Sequence, residues 1–518
     1  MNSIALKPDS SFFRKIAMGA VGTRTVCSDL AHRGHELVEL ERGSLDTKLW
    51  KDVKRKRVRI PDLVCCRCGI RVESRAKTKA ELSVSHSITD ASRAWDFGMV
   101  DSDWIAFPVC ESIGERYWSN GRLGPESSYW HERNWVQWQT KPWINYFSVR
   151  TFRSTPHTKS VTKGVTEGSE TSIGWEAVFS RRTGVVAALE DRRITVERAG
   201  DGHRHTRTIP AGLVIRVDKG QAVAEGQLVA SKVCPLAAAE LECARVLSPS
   251  HISNLLASRE RTQRFTGVKL ARVRREASFC DAAAQLADDD EEGVYIRLEA
   301  VAYLASVCGR PVGKLFAKYL ASADDQTRLE SVISLGETST PDAVGLLSGL
   351  LDDRDQPYFL RSAAAWGLGR AASQQATNRL IRAFADVDRS IREEALEGLV
   401  SIGGPAVPLL LTGLGEVSAG VAAGCAEALR QQGALPASAA SDIIAGLSEE
   451  SNSQWRVWLL GQLPREQVAP LIASLHTTAP ALHYAVTLLW TFIESWIARR
   501  WELSPGPRFP ASDSVHDV

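Results

Sequence analysis

An internal repeat in the second half of the chain constrains the fold more than any other feature. Four segments align with one another, and each carries an arginine at the same point of its pattern. These arginines are Arg297, Arg328, Arg361 and Arg392, at spacings of 31, 33 and 31 residues. Within each unit two apolar stretches at 3.6-residue spacing flank a Gly or Pro break, which predicts two short helices. Because neither helix buries its apolar face alone, we expect an all-α solenoid over 290–500.

The repeat resembles HEAT repeats, most clearly in the segment DVDRSIREEALEGL, where aspartate precedes arginine, alanine and leucine. The resemblance covers about two fifths of the chain. It implies an extended surface that binds a protein partner. We expect the recurring aspartate and arginine side chains to pair between neighbouring repeats, and residues 501–518 to form a flexible tail.

The middle of the chain follows a different pattern, with β-branched residues alternating between turn residues. The phrases IRVDKGQAV and AEGQLVA resemble the barrel-sandwich hybrid fold. A carrier of that fold presents a modified lysine in a tight hairpin, whereas Lys232 is followed by VCPLAAAE. We therefore expect a small all-β module over 165–235 that serves for contact or spacing, and a helical linker over 236–289.

The chemistry-bearing stretch is RIPDLVCCRCGIRVESRAK, which starts at Arg59. If Arg67 and Cys68 are the central residues of a hairpin turn, antiparallel partners have numbers that sum to 135, and Asp62 faces Glu73. Directly opposite side chains share a face of the sheet. Two carboxylates so placed repel each other unless a cation or a proton lies between them, and oxygen ligands suit Mg²⁺.

The order of predicted elements in the first 110 residues is helix, three strands, helix and strand. The helices lie in 25–43 and 89–100, and the strands lie in 48–57, 58–66, 69–77 and 103–110. This order, with Pro-Asp on one central strand and Glu-x-basic on the next, resembles the PD-(D/E)xK superfamily of restriction-endonuclease-like folds. The expected fold class is multidomain, with an α/β restriction-endonuclease-like domain over 1–160.

The resemblance implies that Asp62 and Glu73 bind Mg²⁺ and that a nearby lysine orients the attacking water. Glu36 or Glu39, on the first predicted helix, is expected to complete the coordination. The chain departs from the pattern at Arg75, where the superfamily has lysine. Arginine stays protonated and so cannot act as a base. The nearest lysine follows two residues later. The expected catalytic residues are Asp62, Glu73, Arg75 and Lys77.

The implied function is a metal-dependent DNA endonuclease that acts with partner proteins, as in restriction or anti-phage defence. The biological setting of restriction or anti-phage defence rests on analogy alone, since a fold does not define a function. The alternative is a non-catalytic nucleic-acid-binding or protein-binding adaptor, in which a zinc-stabilised hairpin accompanies the solenoid. The sequence shows neither a phosphate-binding P-loop nor a serine nucleophile elbow.

A possible zinc site competes for the same hairpin. Cys65 and Cys68, followed by a glycine, have the spacing of half a structural zinc site. Such a site needs four ligands, and no second Cys-x-x-Cys follows. The sequence leaves the completing residues to Cys27, Cys66, Cys110 or His86. Because the turn lies several residues from the carboxylates, zinc and magnesium sites are compatible.

Local charge favours a nucleic acid partner, although 63 Lys and Arg nearly balance 61 Asp and Glu over the chain. Between Arg42 and Lys79 there are thirteen basic residues and four acidic ones. Such a run attracts a phosphate backbone without regard to sequence, and a solvated basic face is the alternative. The expected DNA contacts are Lys51, Lys54, Arg55, Lys56, Arg57 and Arg59.

Scattered cysteines and the lack of a secretory apolar stretch near Met1 predict a reduced, cytoplasmic protein. The most apolar late segment, 481–501, includes His483, Glu494 and Arg499. Charges within one membrane thickness favour a buried helix pair over a membrane span.

Overall fold

A computed structural model describes residues 10–45, 59–87, 90–112, 138–161, 170–198, 200–432, 435–448, 453–461, 463 and 465–488. The chain divides into two compact units, Met1–Tyr303 and Leu304–Val518.

The first unit opens with a helix and six strands. These are α1 (Ser10–His32), β1 (Leu37–Glu39), β2 (Leu63–Cys65), β3 (Arg71–Ser74), β4 (Ser83–Ser87), β5 (Trp104–Ser112) and β6 (Trp138–Ser148). They are followed by α2 (Val149–Ser154), β7 (Thr158–Val161), β8 (Glu170–Gly174) and β9 (Ala177–Phe179). Further strands are β10 (Gly184–Glu190), β11 (Arg193–Arg198), β12 (Arg204–Thr208), β13 (Val214–Ile215), β14 (Ala222–Val223) and β15 (Leu228–Ser231).

A five-stranded mixed sheet in the order β1-β2-β3-β5-β6 forms the centre of the N-terminal region. The β3–β5 pair is parallel and the other three pairs are antiparallel. Alternation along β5 gives the sheet two buried faces. Trp104 and Ala106 pack in the same cluster as Val26 and Leu30 of α1. Ile105 and its neighbours on the other face pack against aromatic side chains that follow β6.

The first helix ends earlier than the sequence predicts. It stops at His32 because Gly34, at φ +81°, closes it with backbone bonds from Gly34 N–H to Ala31 O and from His35 N–H to Leu30 O. This is the glycine-terminated arrangement that commonly ends helices. The expected helix over 25–43 is therefore wrong in its second half, which contains the first strand of the sheet. The predicted strand over 48–57 lies outside the described residues.

Two other expectations about this region need correction. The helix predicted in 89–100 is reduced to one 3₁₀ turn, Ala91–Arg93, capped by the Asp90 side chain. A separate three-stranded sheet, in the order β4-β8-β7, pairs Ser83–Ser87 with Glu170–Gly174. That pairing crosses the boundary expected between 1–160 and 165–235.

The small β-rich region consists of two sheets, β12-β11-β10-β14 and β13-β15-β9. Their shared core includes Val178, Val186, Ile194 and Val196. The segment expected as a linker holds helices α3 (Pro249–Leu256), α4 (Arg261–Val273) and α5 (Cys280–Asp288). It belongs to the first unit and packs on the N-terminal sheet, since Arg71 of β3 donates a hydrogen bond to Thr266 at 3.3 Å.

The C-terminal region is a helical solenoid. Its helices are α6 (Val294–Ser306), α7 (Val312–Leu320), α8 (Asp325–Thr338), α9 (Pro341–Asp352), α10 (Tyr358–Ala371), α11 (Gln374–Ala383), α12 (Arg389–Ile402), α13 (Val407–Gly413), α14 (Ala419–Gln432), α15 (Ala437–Ala445), α16 (Ser453–Leu460) and α17 (Arg465–Thr478). Each repeating arginine lies on the first helix of a pair, as the sequence predicts.

Within the parts of the chain that the structure describes, no single helix is long and apolar enough to cross a membrane. One helix pair, Arg389–Ile402 with Gly404–Gly413, passes that test only when joined, and it is bent by 111°. Most of the late apolar segment lies outside the described residues.

Candidate active site and candidate metal centre

The β2–β3 hairpin has the register that the sequence predicts. Leu63 pairs with Val72 and Val64 with Arg71. The Cys65 N–H donates to Ile70 O at 2.9 Å, which continues the same pairing toward the turn. Extending the register by one residue in the other direction places Asp62 opposite Glu73.

The two predicted carboxylates lie beside each other in a partly buried site. One oxygen of Asp62 accepts a hydrogen bond from the Ser74 N–H at 2.7 Å. Glu73 is only 8% exposed, and Asp62 is half-buried. Burial, with the neighbouring Glu73 and Glu41 charges, raises the pKa of Asp62 well above its usual value. Burial also raises the pKa of Glu73 to about 7, against the opposing effect of Arg75.

The third carboxylate near this pair is Glu41, and sequence reasoning missed it. The Glu41 N–H donates to Asp62 O at 3.2 Å. The expected third ligand, Glu36, precedes β1, and its side chain is 71% exposed and lies 3.9 Å from Arg67. Glu39 accepts a hydrogen bond from Leu45 N–H at 3.0 Å. Glu36 is thus excluded from the carboxylate site because the helix that was expected to carry it ends at His32.

The two predicted basic residues have different positions. Arg75 lies 2.9 Å from Glu73, so it joins the carboxylate site. Lys77 instead donates to the Ser83 hydroxyl at 3.0 Å and lies 3.4 Å from Glu81. Its burial lowers its pKa, against the opposing effect of Glu81. The structure therefore holds the Lys77 ammonium at Ser83 and Glu81, and not at the carboxylate site where the sequence places it.

A cavity of about 220 Å³ opens beside Glu73 and Glu41, and Asp62 is not among its lining residues. Its charged and histidine lining residues are Glu41, Arg59, Glu73, Arg75, His86 and Arg93. Arg59, Arg75 and Arg93 line this one cavity, and burial with the like charges of Arg93 and Arg75 lowers the pKa of Arg59. The other expected DNA contacts, Lys51, Lys54, Arg55, Lys56 and Arg57, lie outside the described residues. The cavity combines acidic groups suited to a cation with basic groups suited to a phosphate.

A second cavity, of about 600 Å³, lies at the β-rich region. Arg181, Arg182, His205 and Arg207 line it, together with one acidic residue, Glu225. Burial and the charge of Arg181 lower the pKa of Arg207. This concave basic surface suits a polyanion.

A cluster of soft ligands lies at the turn of the hairpin. The ligand atoms of His35, Cys65, Cys68 and Cys243 lie within 4.8 Å of one another. The Sγ atoms of Cys65 and Cys243 are 3.9 Å apart, and Cys68 Sγ lies 3.6 Å from Nδ1 of His35. Within the described residues, this is the only group of three or more His, Cys, Asp or Glu side chains that converges so closely.

Two of these four side chains were predicted and two were missed. His35 follows the glycine that ends α1, and Cys243 lies 178 residues from Cys65. The residues proposed to complete the site lie elsewhere. Cys110 donates to Met18 O at 3.8 Å, and His86 accepts a hydrogen bond from the Trp95 N–H at 3.3 Å. No short-range spacing signals Cys243, because chain folding alone brings it to the turn.

The hydrogen bond between Cys65 and Cys68 shifts the pKa values of the two thiols in opposite directions. A hydrogen bond from the Cys68 thiol, together with contacts from His35 and backbone amides, lowers the pKa of Cys65 to about 3. The same bond to Cys65, with burial, raises the pKa of Cys68. Burial also raises the pKa of Cys243.

The known protein family that matches the chain is one of HEAT repeats, over residues 312–399 and 354–430. This agrees with the helix pairs of the solenoid, so the C-terminal region is a HEAT-type helical scaffold. No curated protein matches the chain.

Three solved structures illustrate the structural similarities. An engineered protein is 18% identical, with a TM-score of 0.22, covering 42% of this chain and 96% of its own. Human deoxyhypusine hydroxylase in complex with glycerol is 15% identical, with a TM-score of 0.18, covering 44% and 99%. The CpcE–CpcF complex of phycocyanin lyase from Nostoc sp. PCC7120 is 18% identical, with a TM-score of 0.18, covering 50% and 98%. At these TM-scores the three structures add nothing to the repeat match.

Proposed function

We propose that the N-terminal unit is a Mg²⁺-dependent DNA endonuclease and that the HEAT-type solenoid binds a protein partner. The observation that carries the proposal is the pairing of Asp62 with Glu73, beside Arg75 and a cavity lined by further arginines. A carboxylate pair at the edge of a polar cavity that guanidinium groups line suits metal-assisted phosphodiester hydrolysis.

The surrounding sheet supports this proposal. The two acidic residues lie on adjacent antiparallel strands, β2 and β3, and a parallel strand, β5, follows on the other side of β3. The helix α1 precedes the sheet and packs on one face of it. A helix before a mixed sheet, with Asp and Glu on neighbouring strands, agrees with the nuclease resemblance noted in the sequence.

The donor set fits a hard divalent cation. Asp62 and Glu73 lie opposite each other with raised pKa values, and Arg75, 2.9 Å from Glu73, offsets only part of the cost of burying the two charges, which a bound cation would offset further. Asp62 and Glu73 would hold Mg²⁺, with Glu41 nearby. A bound Mg²⁺ supplies polarisation of a phosphate oxygen and a lower pKa for an attacking water.

The remaining steps depend on side chains of this chain. Arg59, Arg75 and Arg93 face the cavity and would bind the phosphate oxygens through charge-assisted hydrogen bonds. Because arginine stays protonated, Arg75 stabilises charge and does not accept the proton of the water. Glu41 and His86 line the same cavity and are the groups suited to accept it.

The choice of DNA as substrate rests on two basic regions. The run KDVKRKRVR precedes Ile60, and Arg59 at its end faces the carboxylate cavity. The second cavity adds Arg181, Arg182 and Arg207. An endonuclease that acts with a partner on a repeat scaffold suits restriction or anti-phage defence.

The test is cleavage of supercoiled and linear DNA by the full chain, in Mg²⁺ and in Ca²⁺. We expect cleavage in Mg²⁺ that Asp62→Ala and Glu73→Ala each abolish, while DNA binding in Ca²⁺ persists. Glu36→Ala is the matched control, because it removes an exposed glutamate outside the site and should leave cleavage unchanged. Failure of the unaltered protein to cut DNA, alone or with a partner captured on its solenoid, would refute the endonuclease.

A second candidate is a non-catalytic adaptor. It is favoured by Arg75 at the position of the family lysine and by the engagement of Lys77 with Glu81. In that case Asp62→Ala changes neither nucleic acid binding nor partner capture. For the endonuclease proposal, cleavage of RNA and not of DNA would support phosphodiester hydrolysis at this site but would show that the substrate is RNA.

A further inference from the structure

The cluster at the hairpin turn has the dimensions of a tetrahedral zinc site. With Zn–S bonds of about 2.3 Å, two sulfur ligands of a regular tetrahedron lie about 3.8 Å apart. The Sγ atoms of Cys65 and Cys243 are 3.9 Å apart, and Cys68 Sγ is 3.6 Å from the His35 nitrogen. The four side chains therefore surround a space suited to one ion.

We propose that His35, Cys65, Cys68 and Cys243 bind one zinc ion in a closed structural site. Three thiolates and one imidazole select zinc over hard cations such as Mg²⁺, which prefer oxygen ligands. Four protein ligands leave no position for water or substrate, which distinguishes a structural site from a catalytic one. This site is separate from the carboxylate cavity and does not depend on the proposed nuclease activity.

The surroundings of His35 prepare its Nδ1 as the ligand atom. Its other nitrogen, Nε2, lies 3.0 Å from Leu241 O and donates a hydrogen bond to that carbonyl. A proton held on Nε2 leaves Nδ1 free to bind a metal, the arrangement typical of metal-binding histidines. The ring also packs edge-on against Trp104, with ring centroids 5.6 Å apart.

The backbone around the other ligands is fixed as well. Gly69 adopts φ +77° directly after Cys68, a conformation that favours glycine and that turns the chain at the ligand pair. The Cys243 N–H donates to Arg33 O at 3.0 Å, and the Leu247 N–H donates to Arg67 O at 2.5 Å. The segment that carries Cys243 is thereby held against the end of α1 on one side and against the hairpin turn on the other.

The ion would join three segments that are far apart in sequence. They are the end of α1, the β2–β3 turn and the stretch before α3. Cys65 lies three residues from Asp62, about 10 Å along a strand. Zinc at the turn would therefore fix the strand register that places Asp62 opposite Glu73. A slip of one residue would move every side chain of the strand to the other face of the sheet.

Metal content of the full chain, purified under reducing conditions without added zinc, tests the proposal. We expect one zinc ion per chain. Cys243→Ser and His35→Asn should weaken zinc binding by more than the about 10–100-fold that loss of an outer hydrogen-bonding partner costs. Cys234→Ser is the matched control, because it removes an exposed cysteine outside the cluster and should retain the full zinc content.

A second measurement needs no variant. X-ray absorption of the zinc-loaded protein should show three sulfur ligands at about 2.3 Å and one nitrogen at about 2.0–2.1 Å. Reduced, metal-free protein should bind Co²⁺ with the near-ultraviolet charge-transfer bands of thiolate ligands and the visible d–d bands of a tetrahedral site, and zinc should displace it. Protein that binds neither ion, a different sulfur-to-nitrogen ratio, or full zinc content in Cys243→Ser would each overturn the site. None of these zinc measurements depends on whether the protein cleaves DNA, so the zinc site and the proposed endonuclease are tested separately.

Discussion

The carboxylate of Asp62 accepts a hydrogen bond from the backbone N–H of Ser74, at 2.7 Å. The bond crosses from one strand of the hairpin to the other, next to Glu73. It orients Asp62 toward β3 before any ligand binds. The hairpin therefore holds Asp62 next to Glu73 by its own hydrogen bonding. We expect the burial and mutual repulsion of the two carboxylates to lower the stability of the folded protein when both are ionised.

The first prediction concerns Glu73 and pH. Its folded-state pKa of about 7 exceeds its usual value of 4.5. The folded protein therefore holds a proton that the unfolded chain releases, and stability falls as pH rises from about 4.5 to 7. Glu73→Gln should remove this fall and be more stable than the unaltered protein at pH 8. Melting temperatures at pH 5 and pH 8, without added Mg²⁺, measure the difference.

Glu81 is the matched control for that experiment, because its pKa is shifted the other way. Hydrogen bonding to Ser83 and the charges of Lys77 and Lys79 lower the pKa of Glu81, against the opposing effect of burial. Its contribution to stability is present above its unfolded-state pKa and is lost as pH falls. Glu81→Gln should therefore be less stable than the unaltered protein at pH 8 and approach it in acid. If both variants changed the stability at pH 8 in the same direction, the opposite pKa shifts assigned to Glu73 and Glu81 would be contradicted.

Arg75 gives the second prediction, on catalysis. Its guanidinium lies 2.9 Å from Glu73 and faces the cavity. Arg75→Ala should lower the rate of Mg²⁺-dependent DNA cleavage about 100-fold, as the loss of one charge-stabilising donor does elsewhere. Arg75→Lys restores the residue of the nuclease pattern and should cut at least as fast as the unaltered protein.

A control for this series is Arg150→Ala, which removes an arginine that is 76% exposed and pairs with Asp101. Its cleavage rate should not change. If Arg75→Ala and Arg150→Ala behave alike in single-turnover cleavage, Arg75 has no part in the chemistry. If Arg75→Lys is inactive while its DNA binding is intact, the site is not of the lysine-dependent type.

Sequence reasoning succeeded where the structure depends on neighbours along the chain. The hairpin register follows from the turn at Arg67 and Cys68, and the repeat predicts helix pairs because each pair is a local unit. It failed for Glu36 because Gly34 ends α1 early, and for Lys77 because its ammonium pairs with Glu81. The first outcome depends on where a helix stops and the second on which acidic partner a lysine takes, and residue spacing reveals neither.

The proposed metal ligands divide in the same way. Cys65 and Cys68 are close in sequence and were identified from their spacing. Cys243 lies 178 residues from Cys65, and His35 reaches the site only because the helix before it ends. Glu41 joins the carboxylates through backbone bonds between the β1 end and Asp62. Long-range placement of this kind follows from packing of the whole unit and not from a motif.

The third prediction concerns the repeating arginines. Arg361 is buried, donates to Leu351 O at 2.9 Å and pairs with Asp386 in the loop before α12. Arg361 thus makes the pairing between repeats that the sequence predicts, whereas Arg297 and Arg328 pair with Asp290 and Asp325 of their own repeats. Arg361→Ala leaves a buried carboxylate without its partner, and such a loss destabilises a protein by about 3–5 kcal/mol. Urea unfolding of the full chain, followed by circular dichroism, measures it.

Arg328 offers the control within the same repeat series. It pairs with Asp325 on its own helix, where the carboxylate is 52% exposed. An exposed pair of this kind contributes about 0–1 kcal/mol. Arg328→Ala should therefore have a small effect on the unfolding midpoint. Equal losses for Arg328→Ala and Arg361→Ala would show that position in the repeat, rather than burial of the pair, sets the cost.

The fourth prediction tests how the solenoid helices approach one another. Gly336 of α8 contacts Gly367 of α10 so closely that an added Cβ would lie 2.6 Å from Gly367 Cα. Gly336→Ala must push these two helices apart, and such overpacking costs about 1–3 kcal/mol. Gly345 lies on an exposed face of α9, where an added Cβ meets nothing within 4 Å. Gly345→Ala should therefore stabilise the protein by about 0.5–1 kcal/mol, because alanine favours the helix. Opposite shifts of the urea midpoint in the two variants are expected, and a stabilised Gly336→Ala would contradict the close packing of α8 against α10.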